Sequence, residues 1–448
     1  MTVDRPDAAI ADLRLGRNFW LFQVGQMIST IGDACGNVAL AWWILDVTGL
    51  PAQVSAVLAP AMVVQAMLTP LMGPLGDRFS RRHLILISDV VRAAMILLLA
   101  LLALTDQFAL PTVIAIYIVF VIGSALFASN NMSIVPQLVS AGALQTAVRT
   151  SESMQAIGRV GGGIIGGVIV STAGVGVAFL LDGISFSIAV IATFLISPLS
   201  RHASPATPTT ARHLAQELAD GFRMTARIPV LLWLCVAIAV FNLVLNPMQV
   251  LLPTYAKLER GMPAWFLGGL ESAMGAGILV GAVLVGSLER RLRRISSVVV
   301  GLVCLGGGLA FLAHVPGVVP PMTLMFAVGV GAAWTNIPIS TRVAVAVPDH
   351  YRSRVNSIVA FLFNATAPLG VAAAGPMVAL FGVAPSMTAL GATVILAVPL
   401  LFLVPDFSTF FRRTPAELTN YFLLTYPQAF RDRPAPPPEP ARSQPHSS

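Results

Sequence analysis

Charge is scarce in this chain. Only 10% of its 448 residues are Asp, Glu, Lys or Arg, while 56% are hydrophobic, and the mean hydropathy is +0.82. Such a composition excludes a soluble enzyme. Cysteine is equally sparse: Cys35, Cys235 and Cys304 all fall inside apolar runs, with no CxxC or Cys/His spacing. They are expected to be small core residues, outside any disulfide framework or metal site. No Gly-x-x-x-x-Gly-Lys-Ser/Thr loop occurs, so ATP does not drive the chain directly. His-Glu-x-x-His, Gly-x-Ser-x-Gly and Cys/His clusters are also missing, so neither a metal, a cofactor nor an enzymatic activity is expected. The segment Met1 to Arg17 carries Asp4, Arg5, Asp7, Asp12, Arg14 and Arg17 and no short apolar region ending in a cleavage site. The first hydrophobic segment is therefore expected to be retained as a span.

What is present is a series of apolar runs, each about 20 residues long and able to cross a ~30 Å hydrocarbon core as a helix. Spans are expected at about 18–45, 53–75, 83–105, 110–134, 147–171, 176–198, 229–255, 263–288, 295–314, 319–343, 354–381 and 384–404. The formal charge of +7 is confined to short turns between them, which points to membrane topology and away from nucleic acid. Twelve spans put both termini on one face. Arg14/Arg17, Arg78 to Arg82, Arg149, Arg212 to Arg227, Arg290 to Arg294, Arg352/Arg354 and Arg412/Arg413 then share that face. The opposite face has only Lys257 and Arg260, so the termini are expected in the cytoplasm.

The chain divides into an N-terminal stretch (1–17), a first set of six spans (18–198), a linker (199–228), a second set (229–405) and a tail (406–448). The linker begins Ser200-Arg-His-Ala-Ser-Pro-Ala-Thr-Pro-Thr-Thr210, flexible by composition. It continues with Leu214, Leu218 and Phe222 spaced four apart, as in a surface amphipathic helix. In the tail, Thr414-Pro415-Ala416-Glu417 has the form of a capping box with proline at the first helical position. Beyond it, Pro434-Ala-Pro-Pro-Pro-Glu-Pro is expected to be extended and dispensable.

The charged turn Gly73-Pro-Leu-Gly-Asp77-Arg78-Phe-Ser80-Arg81-Arg82 packs one acid and three arginines between two apolar runs. Ions cost several kcal/mol in hydrocarbon, so the turn sits at a membrane surface. The same offsets recur in Glu289, Arg290, Arg293 and Arg294, and Arg149-Thr-Ser-Glu is echoed by Arg354-Val-Asn-Ser. The turn resembles the Gly-x-x-x-Asp-Arg-x-Gly-Arg-Arg signature of the major facilitator superfamily, with Ser80 in place of glycine. The resemblance implies an all-α integral membrane fold of twelve helices in two pseudo-symmetric six-helix bundles. It also implies a gating role for Gly73, Asp77, Arg78, Arg81 and Arg82, and for Glu289, Arg290, Arg293 and Arg294, which would latch the cytoplasmic side.

Gly158, Gly162 and Gly166 recur every four residues and line one helix face, permitting close helix packing. With Gly163 and Gly167 they resemble the antiporter motif of drug-exporting facilitators, Gly163 replacing its proline. On that resemblance the stripe would seal the outward mouth.

Ions inside spans face a partner or a water-filled cavity. Asp33 lies halfway along the first span, Arg159 in the fifth and Glu271 in the eighth. Burial favours a neutral carboxyl and an arginine favours a charged one, so a group alternating between the two can load and release a proton. For Asp33 the choice is between coupling and a structural pair with an arginine such as Arg159. Glu271 is a candidate for coupling or substrate contact. Asp89 and Arg92, spaced i,i+3, are expected to neutralise each other, and Asp182 to be structural.

Polar and aromatic residues in the spans form either interhelical seams or a cavity wall, and the resemblance favours the wall. The candidates in the first half are Gln26, Asn37, Trp42, Asn130 and Gln155. Those in the second are Asn242, Asn246, Gln249, Trp334, Asn336 and Asn364. Trp42 and Trp334 could stack on a flat or cationic ligand. Asn18 to Asp33, Asp77 to Arg92 and Leu181-Asp182-Gly-Ile-Ser-Phe resemble the branch of macrolide-efflux and enterobactin-exporter-type proteins, which also holds a lysophospholipid transporter. The expectation is a monomeric, proton-driven exporter of an amphipathic small molecule in a bacterial plasma membrane. A siderophore or lysophospholipid carrier of the same fold is the alternative.

Overall fold

The computed structural model describes residues 15–197, 222–291, 294–404, 406–413 and 415–430. Most of the expected amphipathic linker helix and the proline-rich end lie outside these residues. The first six long helices are α1 (Arg17–Thr48), α2 (Pro51–Arg78), α3 (Arg81–Leu104), α4 (Leu110–Leu138), α5 (Leu144–Ala173) and α6 (Val175–Phe194). The second set begins with α7, which runs from Pro229 to Glu259 in three pieces: Pro229–Leu245, Met248–Thr254 and a π turn at Tyr255–Glu259. It continues with α8 (Ala264–Arg291), α9 (Arg294–Leu312), α10 (Val319–Ala346), α11 (Asp349–Phe381) and α12 (Val383–Leu401). Eleven of these helices are long and apolar enough to cross a membrane, and α9 contributes a shorter apolar stretch, Ser297–Leu312.

Local sequence sets the ends. Prolines start α2, α4, α7 and α10, where their missing N–H has no helical partner to lose. Between α5 and α6 the chain turns on Gly174 (φ 89°), and between α11 and α12 on Gly382 (φ 82°). A side chain would be strained at either φ, and the two glycines occupy equivalent places in the two halves. Within α7, Pro247 interrupts the helix because it cannot donate to Leu243.

Packing repeats with a period of six helices. The pairs α1–α5, α2–α4, α3–α4 and α3–α6 recur as α7–α11, α8–α10, α9–α10 and α9–α12. Each half is thus a bundle with its own interior. The bundles meet through α5 against α8 and α2 against α11.

After α12 the chain folds back as α13 (Phe407–Arg412), α14 (Pro415–Leu418) and α15 (Tyr421–Thr425). Phe407, Phe410, Phe411, Tyr421 and Phe422 are buried together there, Phe410 stacking on Phe422 at 5.3 Å. This cluster packs against α9 and α10. Arg342, a buried arginine of α10, lies 5.1 Å over the Phe411 ring. The residues on either side of the expected capping box therefore build a small aromatic core. Phe410→Ala is expected to destabilise the protein by about 3 kcal/mol, lowering the melting temperature in detergent. Leu424→Ala, at a 76% exposed site, is expected to leave it unchanged.

Candidate functional site

The interior of the first bundle is built on α1 and α3. Helix α3 buries Ser88, Asp89, Arg92, Ala93, Ile96 and Leu99, a stripe at helical spacing that faces α4 and α6. The Arg92 guanidinium lies between two rings, 4.1 Å from Phe127 and 4.5 Å from Phe186. It bonds Asp89 directly and approaches Asp33 at 3.9 Å. Gln26 of α1 donates to the second oxygen of Asp89 at 3.3 Å. The expected Asp89–Arg92 pair is thus present, and it is wholly buried.

Asp33 is not paired with Arg159. Its side chain is 36% exposed and lines a small pocket. Gly36, Asn37, Leu40, Ile96, Leu99, Tyr117, Phe120, Phe179 and Asp182 complete the lining. Arg159 is exposed on α5 and makes no ion pair among the described residues. Glu271 is half-buried, its Cβ 3.6 Å from where a side chain on Gly163 would begin. It therefore sits in the α5–α8 seam, about a helical turn from Arg159.

The two glycine stripes of α5 face different neighbours. Gly158, Gly162 and Gly166 admit α1: a Cβ at Gly162 would meet Ala34 at 2.6 Å and Ile31 O at 2.7 Å, and one at Gly166 would meet the Cys35 backbone at 2.5 Å. Cys35 Sγ donates to Gly162 O at 3.4 Å. The expected stripe therefore joins helices within one half. The seal between halves is made by Gly163 and Gly167, which meet the backbone of α8 at Gly268 and Ala264. Ser272 Oγ donates to Val160 O at 2.6 Å, and Trp265 N donates to Ser171 Oγ at 2.8 Å. Sequence spacing marks both stripes but does not say which helix each one meets.

The other named contacts between halves lie at the same end. Gly375 N of α11 donates to Ser55 Oγ of α2 at 3.1 Å. Lys257 of α7 pairs with Asp46 of α1 and rests 4.3 Å over the Trp42 ring. Trp42, expected as a ligand platform, is thus occupied by a lysine of the other half. The two halves close at the end away from the arginine-bearing turns.

Among the expected gating residues, the side chains of Asp77, Arg78, Glu289, Arg290, Arg293 and Arg294, together with the environment of Gly73, lie outside what the structure describes. Arg81 is half-buried. Arg82 donates to Thr193 O at 3.1 Å and Phe194 O at 2.5 Å. It fastens the start of α3 to the end of α6, where a cation also suits the helix dipole.

The expected cavity wall divides in two. Asn37, Gln249, Asn336 and Asn364 are exposed and Gln155 is half-buried. Gln26 and Asn130 are buried, Gln26 in its bond across to Asp89 and Asn130 in a local one, its Nδ2 donating to Leu126 O at 2.8 Å. Trp334 Nε1 donates across a seam to Gly281 O at 3.1 Å. Along α7, Asn246 Nδ2 donates to Asn242 O at 2.7 Å and Gln249 Nε2 to Asn246 Oδ1 at 3.0 Å. This polar ladder bridges the helix break before Met248. Residues that sequence reasoning passed over are Arg92 as the partner of Asp33, Asp182 as a cavity residue, and Gly268. Gly32-x-x-x-Gly36 around Asp33 was the available signal for a close neighbour on α1.

A profile described as Major Facilitator Superfamily matches residues 23–371. The chain belongs to that superfamily. It is a multi-pass membrane transporter, not an enzyme. A relative named multidrug efflux pump Tap, from Mycolicibacterium fortuitum, is 25% identical over 77% of this chain and 85% of its own length. Macrolide efflux protein A from Streptococcus pyogenes is 21% identical over 79% and 87% respectively. A solved bacterial homologue of the iron transporter ferroportin, in an inward-facing state, superposes with a TM-score of 0.69 at 19% identity. That match covers 89% of this chain and 99% of the other and establishes the shared fold.

Gly268→Val places bulk against the Gly163 carbonyl and is expected to hold the halves apart. Transport should fall about tenfold or more while the protein still reaches the membrane. A cysteine introduced at Ser171, in a background without the native cysteines, should then react faster with an impermeant thiol reagent.

Proposed function

We propose that the protein is a proton-coupled exporter that moves amphipathic small molecules out of the cytoplasm by rocking its two bundles. The observation that carries this reading is Asp33, a half-exposed carboxylate that faces a cavity and is held only loosely, at 3.9 Å, by a buried arginine. A carboxylate in that position can release a proton when it draws near Arg92 and accept one when it moves away. The efflux activities in the names of the relatives support the direction of transport. With the arginine-bearing turns in the cytoplasm, closure by α5–α8, α2–α11 and Lys257 shuts the outer mouth. The cavity then faces inward, ready to load.

The charged turn at Asp77 to Arg82 and its counterpart at Glu289 to Arg294 act in the opposite state, as latches on the cytoplasmic side. Exposed ion pairs are individually weak, which suits contacts that break in every cycle. Substrate contacts fall to the exposed polar residues Asn37, Gln249, Asn336 and Asn364.

The test is a susceptibility panel on a strain lacking the gene, spanning macrolides, other cationic drugs, siderophores and lysophospholipids. Complementation with the wild type is expected to restore resistance to at least one amphipathic drug, and Asp33→Asn is expected to fail while reaching the membrane in normal amount. Asp77→Asn is expected to impair efflux without blocking insertion. A phenotype confined to siderophore or lysophospholipid handling would replace the drug-export reading.

A further inference from the structure

The interior of the first bundle holds more acid than a single coupling residue requires. Asp33, Asp89 and Asp182 are gathered around one cation, Arg92. Asp89 is satisfied by Arg92 and Gln26, and Asp33 has Arg92 at 3.9 Å and an opening beside Asn37. Asp182 has neither. It is 1% exposed, and among the described residues no cation lies within ion-pair distance of it. Among the described residues its side chain accepts one hydrogen bond, a 3.5 Å contact from Ser185 Oγ. That hydroxyl is better placed on the Asp182 carbonyl, at 2.7 Å, and has a single proton to give.

The carboxyl of Asp182 nevertheless has a built place. It lies against the α1 backbone between Gly32 and Gly36: a Cβ at Gly32 would meet its Oδ1 at 2.7 Å, and one at Gly36 would strike its Oδ2. Two glycines flanking Asp33 thus admit a second carboxyl from α6 into the cavity that Asp33 lines. An ionised carboxylate buried without a donor costs several kcal/mol, and two that share a site are relieved by holding one proton between them. Among the described residues no group of three or more His, Cys, Asp or Glu side chains could hold a metal ion. The titratable and charged groups around the pair are Cys35 on α1, Asp89 and Arg92 on α3, and Tyr117 on α4. Arg92 Nε has no hydrogen-bond partner, so the arginine keeps a donor in reserve.

We propose that Asp33 and Asp182 form one two-carboxyl site that holds a single proton between them, and that Arg92 takes over Asp33 when the proton leaves. Asp33 is the more exposed member, and Asp182, 1% exposed, is the enclosed member that stores the proton's share. Loading forms one O–H bond and release breaks it; no other bond changes. The role of the pair in transport rests on the proton-coupled reading above, but its protonation can be measured without a substrate.

The test uses the full-length protein in detergent, followed by difference infrared spectroscopy, in which a protonated carboxyl gives a C=O stretch distinct from that of a carboxylate. The wild type is expected to show, at neutral pH, a protonated component that both Asp33→Asn and Asp182→Asn remove. Glu271→Gln and Asp182→Glu should retain it, the latter separating loss of the acid from loss of the fold. A component that survives Asp182→Asn while Asp33→Asn removes it, or the reverse, overturns the shared proton. A second arm follows ethidium flux into proteoliposomes under an imposed pH gradient, which Asp182→Asn is expected to lower about tenfold. Flux that ignores the gradient, with the component still lost in both variants, would sink proton coupling and leave the pair standing. Gradient-driven flux at wild-type rate and pH profile in Asp182→Asn would sink the pair and leave coupling through Asp33 intact.

Discussion

Arg92 is the ion on which the first bundle depends. It is 3% exposed and gripped by two aromatic faces and one carboxylate, so removing it would strand Asp89 in a dry interior. Breaking a buried pair by deleting one partner costs about 3–5 kcal/mol, far more than any surface bridge in the chain. The surrounding helices are arranged to keep this charge: α4 and α6 supply Phe127 and Phe186, and α1 supplies Gln26 and Asp33. The four helices that enclose the cavity thus meet at one guanidinium.

Around that fixed point the protein combines stiff and separable contacts. Within a half, helices interlock through glycine stripes and buried side chains, as where Gly162 and Gly166 admit α1. Between halves, the polar contacts among the described residues are a few hydrogen bonds and the Lys257–Asp46 ion pair, beside the backbone crossings at Gly163 and Gly167 and apolar packing. The crossings at Gly163, Gly167 and Gly268 bring backbone against backbone and can part with little repacking there, which is what a carrier needs from its gate.

Much of the fold was legible in sequence because hydrocarbon leaves few choices. Apolar runs of sufficient length must be helices, and the duplicated charged turn and the echo of Arg149-Thr-Ser-Glu in Arg354-Val-Asn-Ser reveal the repeat. The site was less legible. Helical spacing tells which residues share a face, as with Gly158, Gly162 and Gly166, but not that α1 is their neighbour while Gly163 and Gly167 meet the other half. Asp33 was identifiable as costly, yet its partner could not be chosen between Arg92 and Arg159 without knowing which helices touch. Polarity left Gln26 and Trp334 open between seam and cavity wall and the family resemblance favoured the wall, whereas their hydrogen bonds put them in seams. The aromatic tail was hidden for a different reason: its cluster is assembled from three short helices, none with enough turns to show a periodic face.

Lys257 holds the closed mouth by two forces that answer differently to the medium. Its bridge to Asp46 is an exposed Coulomb contact and weakens as salt is added, whereas its seat on the Trp42 ring depends on shape and desolvation as well as charge. In brine the clasp therefore slackens without letting go, and the resting bias of the carrier becomes a function of the ionic strength at that end of the protein.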